Sequence, residues 1–219
     1  MTVARAMILA AGRGERMRPL TDRTPKPLLE VRGKPLIVYH LEKLSRIGVS
    51  DVVINLAWLG PVIRERLQDG AQWGMHIQYS DEGDEALETG GGVFRALPLL
   101  GPDPFLIVNG DIYTDYDFTK LAISPQAWAH LVLVPNPPQG LKGDFSLRDG
   151  LVTEEPGQPR WTYSGIALYR PELFTGCAAG KFRMLPLFQR AIAAQRLAGE
   201  LYTGVWNDVG TVERLKALQ

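Results

Sequence analysis

Short apolar runs alternate with longer segments of helical periodicity along the first half of the chain. The run 6–10 is apolar throughout and stops at a glycine, which is typical of a strand buried on both faces. Ile37, Leu41 and Leu44 then recur at helical spacing, and Gly48 supplies a helix stop. Similar patterns predict strands at 49–56, 77–79 and 105–109 and helices at 61–67 and 92–100.

This alternation of strand and helix predicts an α/β fold with a Rossmann-like open, mostly parallel sheet flanked by helices. After the apolar run 131–134 the chain becomes rich in proline, glycine and charge, with short extended pieces around Phe145 and Val152. We interpret this stretch as a small β-rich insertion. We therefore expect one domain over 1–219, with 135–165 as a lid segment, completed by a strand at 166–169 and helices at 185–197 and 211–218.

Charge and composition exclude several classes of protein. Lys plus Arg is 24 and Asp plus Glu is 24, so no net charge draws the chain to nucleic acid or to a membrane surface. No apolar run reaches the length of a membrane span, and the first residues are too short for a signal peptide. Cys177 is the only cysteine, which suits a reducing compartment. We expect a cytoplasmic protein that is a monomer or a small homo-oligomer.

The strongest local signal is the glycine-rich segment that follows the first predicted strand. Ligands bind beyond the carboxyl ends of strands in open parallel sheets. Small residues let the backbone approach a ligand, and exposed N–H groups can then cradle phosphate oxygens. The small residues are Ala10, Ala11, Gly12 and Gly14, and the nearby cations are Arg13, Arg16, Arg18 and Lys26.

Two common phosphate loops do not fit this segment. A Gly-Lys-Ser or Gly-Lys-Thr end of a Walker A loop does not occur, and Met17 stands where a dinucleotide fingerprint has its third glycine. Taken alone, the Gly-x-Gly is equally consistent with a plain tight turn.

The whole run 9–28, which ends in Thr24-Pro25-Lys26-Pro27-Leu28, resembles the signature of the sugar-1-phosphate nucleotidyltransferases. That signature is Leu-x-Ala-Gly-x-Gly-x-Arg-hydrophobic-x-Pro followed by Pro-Lys-Pro. The resemblance implies the nucleotidyltransferase fold, with Arg16 on the leaving phosphates and Lys26 on the transferring phosphate. It also implies that the nucleotide is bound by Ala10, Ala11, Gly12 and Gly14.

Two further segments resemble the metal-binding positions of this family. Asn109-Gly110-Asp111 ends a predicted strand, and residues 206–211 resemble the late Trp-x-Asp-x-Gly-Thr. Judged by its type alone, an aspartate at such a place is also a common turn former or helix cap. The resemblance implies that Asp111 and Asp208 bind Mg²⁺ and that Asp111 is catalytic.

The segments expected to bind the base and the sugar match the family's motifs less completely. The run 87–92 stands where the family has Leu-Gly-Thr-Ala-Gly, which implies that Thr89 and Gly90 contact the nucleotide; alternatively, these glycines open the next helix. The lid offers Glu154-Glu155-Pro156 where the family often has Glu-Lys-Pro, so Lys142 or Arg183 is a candidate for the missing cation. The sugar-side residues implied are Asn109, Gly143, Asp144, Glu154 and Gly165.

The chemistry of the family explains the absence of a Ser-His-Asp or Cys-His arrangement. A sugar 1-phosphate is mostly dianionic at neutral pH, because its second pKa is about 6. Its oxygen is already a nucleophile and needs no side-chain base. The barrier comes from bringing two polyanions together and from charge that develops on pyrophosphate.

Within the family, the runs 87–92, 109–111, 114–118 and 143–145 look like the uridylyltransferases that use UTP and N-acetylmuramate 1-phosphate in peptidoglycan recycling. Alternatives are a guanylyltransferase acting on mannose 1-phosphate and a cytidylyltransferase using phosphocholine. A hypothesis of a different class is a non-catalytic sensor of nucleotide sugars. The presence of Arg16, Lys26, Asp111 and Asp208 argues against that hypothesis, because a sensor could lose any of them.

Overall fold

A computed structural model defines the fold and describes residues 3–83, 85–138 and 142–219. Nine of the strands in these ranges form one mixed sheet, and the other four form two small ribbons. The strands are β1 (Arg5–Leu9), β2 (Glu30–Val31), β3 (Lys34–Pro35), β4 (Asp51–Leu56), β5 (His76–Asp81), β6 (Phe105–Asn109), β7 (Ile112–Thr114), β8 (Ala129–Val134), β9 (Ser146–Arg148), β10 (Leu151–Thr153), β11 (Thr162–Tyr169), β12 (Leu197–Leu201) and β13 (Trp206–Asp208). The helices are α1 (Leu36–Arg46), α2 (Gly60–Leu67), α3 (Glu88–Leu100), α4 (Leu185–Ala193) and α5 (Val212–Lys216).

The order of strands in the main sheet is β5-β4-β1-β6-β11-β8-β12-β10-β9. Strands β5, β4, β1 and β6 are parallel, whereas β11 runs antiparallel to both of its neighbours. The predicted α/β class is confirmed. The sheet is mixed rather than mostly parallel: its first half is parallel throughout, and in its second half only β8 and β12 pair in parallel. Because β1, β4 and β6 are parallel, their carboxyl ends meet at one edge.

Helices cover both faces of the sheet. Ile37, Leu41 and Leu44 of α1 are fully buried on one face, together with apolar residues of α2. The other face is covered by α3 and α4. Successive side chains of β1 alternate between the two cores, as strand geometry requires: Ile8 joins the first core and Met7 the second.

Two helix boundaries differ from the expectation by more than two residues. Helix α3 begins at Glu88 rather than at 92, so the glycine run lies inside the helix. Helix α4 ends at Ala193, and Leu197 begins strand β12 instead of closing the helix. Gln195 adopts a φ of 53°, and this left-handed conformation separates the two elements.

The segment 135–165 is largely an extension of the main sheet. Strands β9 and β10 form a hairpin at one end of the main sheet, where β10 pairs with β12. Its last residues belong to β11, which lies between β6 and β8. Residues 139–141 of the segment lie outside the described residues. In the described ranges, no helix is long and apolar enough to cross a bilayer.

Candidate active site

A cavity of about 370 Å³ opens at the edge where the parallel strands end. The segment after β1 forms one wall, and the start of α3 forms another. The ends of β4 and β6 form its floor. The lining residues are Leu9, Ala10, Ala11, Gly12, Lys26, Pro27, Asn55, Glu82, Ala86, Glu88, Thr89, Asn109, Asp111 and Lys181.

Two carboxylates converge on one buried ammonium at this cavity. The Nζ of Lys26 donates to Oδ2 of Asp111 at 2.5 Å and lies 3.9 Å from Oδ1 of Asp208. Lys26 is only 7% exposed, so solvent screens these charges weakly. Three of the predicted catalytic and metal-binding residues therefore meet at one point, although they are far apart in the sequence.

A small antiparallel ribbon brings the two aspartates together. Ile112 of β7 lies opposite Asp208 of β13. The backbone N–H of Val209 donates to the carbonyl oxygen of Asp111 at 3.0 Å. Asp111 and Asp208 are therefore neighbours across the end of this ribbon.

Two arginines flank Asp208. Arg214 of α5 donates from Nη1 to Oδ2 of Asp208 at 2.8 Å, and this bond fixes the carboxylate. Arg16 is exposed, and its Nη2 would lie 3.3 Å from a Cβ placed on Gly210, which also adjoins the Asp208 carboxylate. Arg16 thus lies on the Asp208 side of the site.

The glycine-rich segment approaches Lys26 closely at Gly14. Gly14 has a φ of 67°, and a Cβ there would lie 3.3 Å from the Cβ of Lys26. The hydroxyl of Thr21 donates to the Gly14 carbonyl oxygen at 2.9 Å and holds the turn. By contrast, a Cβ on Gly12 would meet open space, so the cavity wall is open there.

A buried polar relay joins the glycine-rich segment to the start of α3. The backbone N–H of Ala10 donates to Asn55 Oδ1 at 2.8 Å, and Asn55 Nδ2 donates to Glu82 Oε1 at 2.7 Å. Glu82 Oε2 accepts from the backbone N–H of Leu87 at 2.7 Å. Sequence reasoning did not single out Asn55 or Glu82, although an asparagine within an otherwise apolar strand was an available signal.

The glycine run of α3 packs against a loop that precedes α4. The N–H of Gly91 donates to the Phe182 carbonyl oxygen at 3.1 Å, and the N–H of Phe182 donates to Leu87 O at 3.2 Å. Gly90 and Gly91 are buried under this loop, whereas Thr89 lines the cavity. Gly90 therefore shapes the wall through close packing. Lys181, another residue that sequence reasoning missed, lines the cavity from the same loop.

The predicted sugar-side residues fall in two places. Asn109 lines the cavity. Gly165, with a φ of 80°, lies so close to Asn109 that a Cβ on Gly165 would overlap the Asn109 amide. Asp144 accepts from the N–H of Tyr163 at 2.8 Å, and Gly143 packs on Arg160. Glu154 lies in a separate cavity of about 390 Å³ beside α4, where Gln189 donates to its carboxylate at 3.3 Å.

The buried imidazole below the ribbon is neutral. His40 of α1 is 1% exposed, and its Nε2 lies 3.0 Å from the Ile112 carbonyl oxygen. Burial, followed by the charge of Lys43, lowers the pKa of His40 to about 4. His40 thus supports the backbone beside Asp111 without adding charge to the site.

The donor set at Asp111 and Asp208 fits a divalent magnesium ion. Mg²⁺ prefers hard oxygen ligands and is bound through one or two carboxylates plus water and substrate phosphates. In this structure the Lys26 ammonium lies beside both carboxylates, and their side chains keep 31% and 28% of their surface exposed, so a divalent ion can also reach them. Lys26 and the backbone of the glycine-rich segment lie within the same cavity and suit phosphate groups.

A parallel half-sheet with a glycine-rich segment at its carboxyl edge is the arrangement in which open α/β sheets bind phosphate-bearing ligands. The chain belongs to the nucleotidyl transferase family, which residues 5–139 match.

Similar proteins extend this likeness over almost the whole chain. An N-acetylmuramate alpha-1-phosphate uridylyltransferase of Neisseria meningitidis serogroup B is 52% identical, over 98% of this chain and 96% of that protein. A protein of the same name from Caulobacter vibrioides is 36% identical, over 94% of this chain and 91% of its own length. The structure of the inositol-1-phosphate CTP transferase from T. maritima has the same fold, with a TM-score of 0.80 at 16% identity over 98% of this chain and 92% of that one.

Proposed function

We propose that this protein transfers the uridylyl group of UTP to N-acetylmuramate 1-phosphate, giving the UDP-sugar and pyrophosphate. The similarity to the uridylyltransferase of Neisseria meningitidis carries the proposal, because it spans nearly all of both chains. The site supports a transfer of this kind, because Lys26 and Asp111 line one cavity with part of the glycine-rich segment, and Asp208 lies 3.9 Å from Lys26.

In this reaction a phosphate oxygen of the sugar 1-phosphate attacks the α-phosphorus of UTP. A new P–O bond forms, the bond to the bridging oxygen breaks, and pyrophosphate leaves. Lys26 neutralises the transferring phosphate, and Arg16 neutralises the leaving pyrophosphate. The charges of these side chains stabilise a transition state that is more anionic at these oxygens than the ground state.

The remaining contacts follow from the cavity. The backbone N–H groups of Ala11, Gly12 and Gly14 bind the nucleotide phosphates, whereas Ala10, whose N–H donates to Asn55, contacts the nucleotide from the cavity wall. Thr89 at the start of α3, backed by Gly90, contacts the nucleoside. On the sugar side, we assign Asn109, Gly165, Gly143 and Asp144. Glu154 is a weaker candidate, because it faces α4 in a separate cavity.

We further propose that Asp111 and Asp208 bind Mg²⁺. The ion would supply electrostatic stabilisation of the phosphate oxygens when bound. Arg214 orients one of these carboxylates through its 2.8 Å hydrogen bond.

We place this enzyme in peptidoglycan recycling and in the cytoplasm. UTP is found in that compartment, and its reducing conditions suit the single cysteine of the chain. We retain one domain over 1–219 with 135–165 on the sugar side, and a monomer or small homo-oligomer that binds no nucleic acid.

A matrix of triphosphates against sugar 1-phosphates, read by pyrophosphate release, tests the proposal. We expect the highest kcat/KM with UTP and N-acetylmuramate 1-phosphate in the presence of Mg²⁺. An equal or higher kcat/KM with GTP and mannose 1-phosphate, or with CTP and phosphocholine, would replace the proposed substrates. Absence of turnover with every pair would favour a sensor of nucleotide sugars.

A further inference from the structure

Glu88 has a backbone conformation that favours glycine. Its φ is 61°, in the left-handed region that L-residues with a side chain rarely adopt. The related motif Leu-Gly-Thr-Ala-Gly has glycine at this point, and glycine adopts the conformation without strain. Glu88 is the first residue of α3 and lines the cavity. A strained residue on the wall of a functional cavity calls for a functional explanation.

The ion pair that Glu88 forms does not stabilise the protein enough to offset the strain of its backbone. Glu88 Oε2 lies 3.6 Å from Nε of Arg183, and the two side chains are 39% and 79% exposed. An ion pair so exposed contributes little, because water and salt screen it. The left-handed conformation costs at least as much as this pair returns. The carboxylate is therefore better explained by what it does to Arg183.

The loop that carries Arg183 is held against the start of α3. It is hydrogen-bonded to the start of α3 in both directions, between Gly91 and Phe182 and between Phe182 and Leu87. Gly90 lies directly under the ring of Phe182, where a Cβ would overlap the ring. Lys181 of the same loop lines the cavity. Arg183 therefore adjoins the cavity through Glu88, a residue of its lining, and Asn109 of the sugar side lines the same cavity.

We propose that Arg183 binds the carboxylate of the sugar substrate and that Glu88 is the positioning residue for its guanidinium. This inference rests on the proposed function, because the lactyl carboxylate distinguishes a muramic sugar from its glucosamine counterpart. The Glu88 carboxylate faces Nε of Arg183 in an ion pair at 3.6 Å, and this leaves Nη1 and Nη2 as a planar pair that can donate in parallel to a second carboxylate. The pair thus selects sugar phosphates that carry an additional negative charge.

Kinetics with paired sugars test this assignment. We would measure kcat/KM with UTP for N-acetylmuramate 1-phosphate and N-acetylglucosamine 1-phosphate in wild type, Arg183→Ala, Arg183→Lys and Glu88→Gly. For Arg183→Ala we expect a loss of roughly 10–100-fold with the muramic sugar, mostly in KM, because a charge-assisted hydrogen bond is lost. The loss with the glucosamine sugar should stay below about 2-fold. Arg183→Lys should give an intermediate loss, since it keeps the charge without the fork.

Glu88→Gly separates the positioning role from backbone strain. We expect this variant to gain thermal stability and yet lose roughly 3–10-fold in preference for the muramic sugar. Gln68→Gly is the matched control, because Gln68 also has a positive φ, of 52°, and lies at the end of α2. This control should gain stability and keep the wild-type preference. Calorimetry of the two UDP-sugar products provides the same comparison if the glucosamine sugar turns over slowly.

Several outcomes would overturn the assignment. Equal losses with both sugars in Arg183→Ala would mean that Arg183 acts on something the two sugars share. An unchanged preference in Glu88→Gly would remove the positioning role. If wild type does not use N-acetylmuramate 1-phosphate while it turns over another sugar, the proposed function itself fails, and this inference fails with it.

Discussion

At the scale of single residues, Lys26 is a buried cation between two carboxylates, and the proposed chemistry rests on this arrangement. Its ammonium is 2.5 Å from Asp111 and 3.9 Å from Asp208. A buried lysine with opposite charges so close is not a solvated surface residue. Both carboxylates also keep about 30% of their side-chain surface exposed, at 31% and 28%, so a cation from solvent can reach them.

Removal of either carboxylate charge should abolish most of the activity. We expect Asp111→Asn and Asp208→Asn each to lower kcat by roughly 10²–10³-fold, because a neutral amide oxygen binds a divalent cation more weakly than a carboxylate does. Turnover should be measured by pyrophosphate release across a Mg²⁺ titration. Asp103→Asn, at an exposed loop position, is the matched control and should behave as wild type. Near-wild-type rates for either site variant would exclude that residue as a ligand of importance.

At the scale of elements, the first turns of α3 are built from glycines because another loop packs directly on them. Glycine normally weakens a helix by about 1 kcal/mol relative to alanine. Here a Cβ on Gly91 would overlap the carbonyl oxygen of Gly180, and one on Gly92 would overlap the Glu82 carboxylate. The close approach of the loop 180–183, and the cations it carries, depends on the absence of side chains at these positions.

Gly91→Ala should therefore destabilise the protein, although alanine has a higher helix propensity than glycine. We expect a loss of about 1–3 kcal/mol in the free energy of unfolding, because the loop must shift to admit the methyl group. Urea unfolding measures the change. Arg95→Ala, at an exposed position of the same helix, should stay within about 0.5 kcal/mol of wild type. A gain in stability for Gly91→Ala would contradict the packing described.

At the scale of the whole molecule, His40 couples the stability of the fold to pH. Its ring is buried between α1 and the ribbon that carries Asp111, and its pKa is lowered from 6.5 to about 4 by burial. In the unfolded chain His40 takes up a proton near pH 6.5, whereas in the folded protein it does so only near pH 4. Below pH 6.5 the unfolded state therefore binds one more proton, and this residue's contribution to stability falls as the pH falls.

The free energy of unfolding should decrease through this window by roughly 1.4 kcal/mol per pH unit on account of His40. Urea unfolding of wild type and His40→Gln at pH 7, 6 and 5 measures the difference in slope. The variant should be less stable at pH 7, because its polar amide must occupy a buried place, but its stability should depend less on pH. Parallel slopes in the two proteins would show that His40 is not the group responsible.

Sequence alone determined the elements of the parallel half of the sheet and the chemical types of the candidate site residues. Apolar periodicity is a local property, so it located β1, β4, β6 and the buried face of α1. The order of glycines, arginines and lysine after β1 identified the family, because a phosphate segment is contiguous in the chain. For the same reason, the family motifs indicated Asp111 and Asp208 as a pair, each within a short motif of its own.

Only the tertiary structure decided which distant residues meet. The insertion of β11 between β6 and β8 carries Gly165 to Asn109, and the relay from Asn55 to Glu82 crosses from β4 to the start of α3. Glu154, by contrast, is turned toward α4 although its motif resembles a sugar contact. These outcomes depend on strand order and on which surfaces pack. Strand order and packing are set by the burial of whole faces against one another, which the spacing of residues along a single segment does not encode.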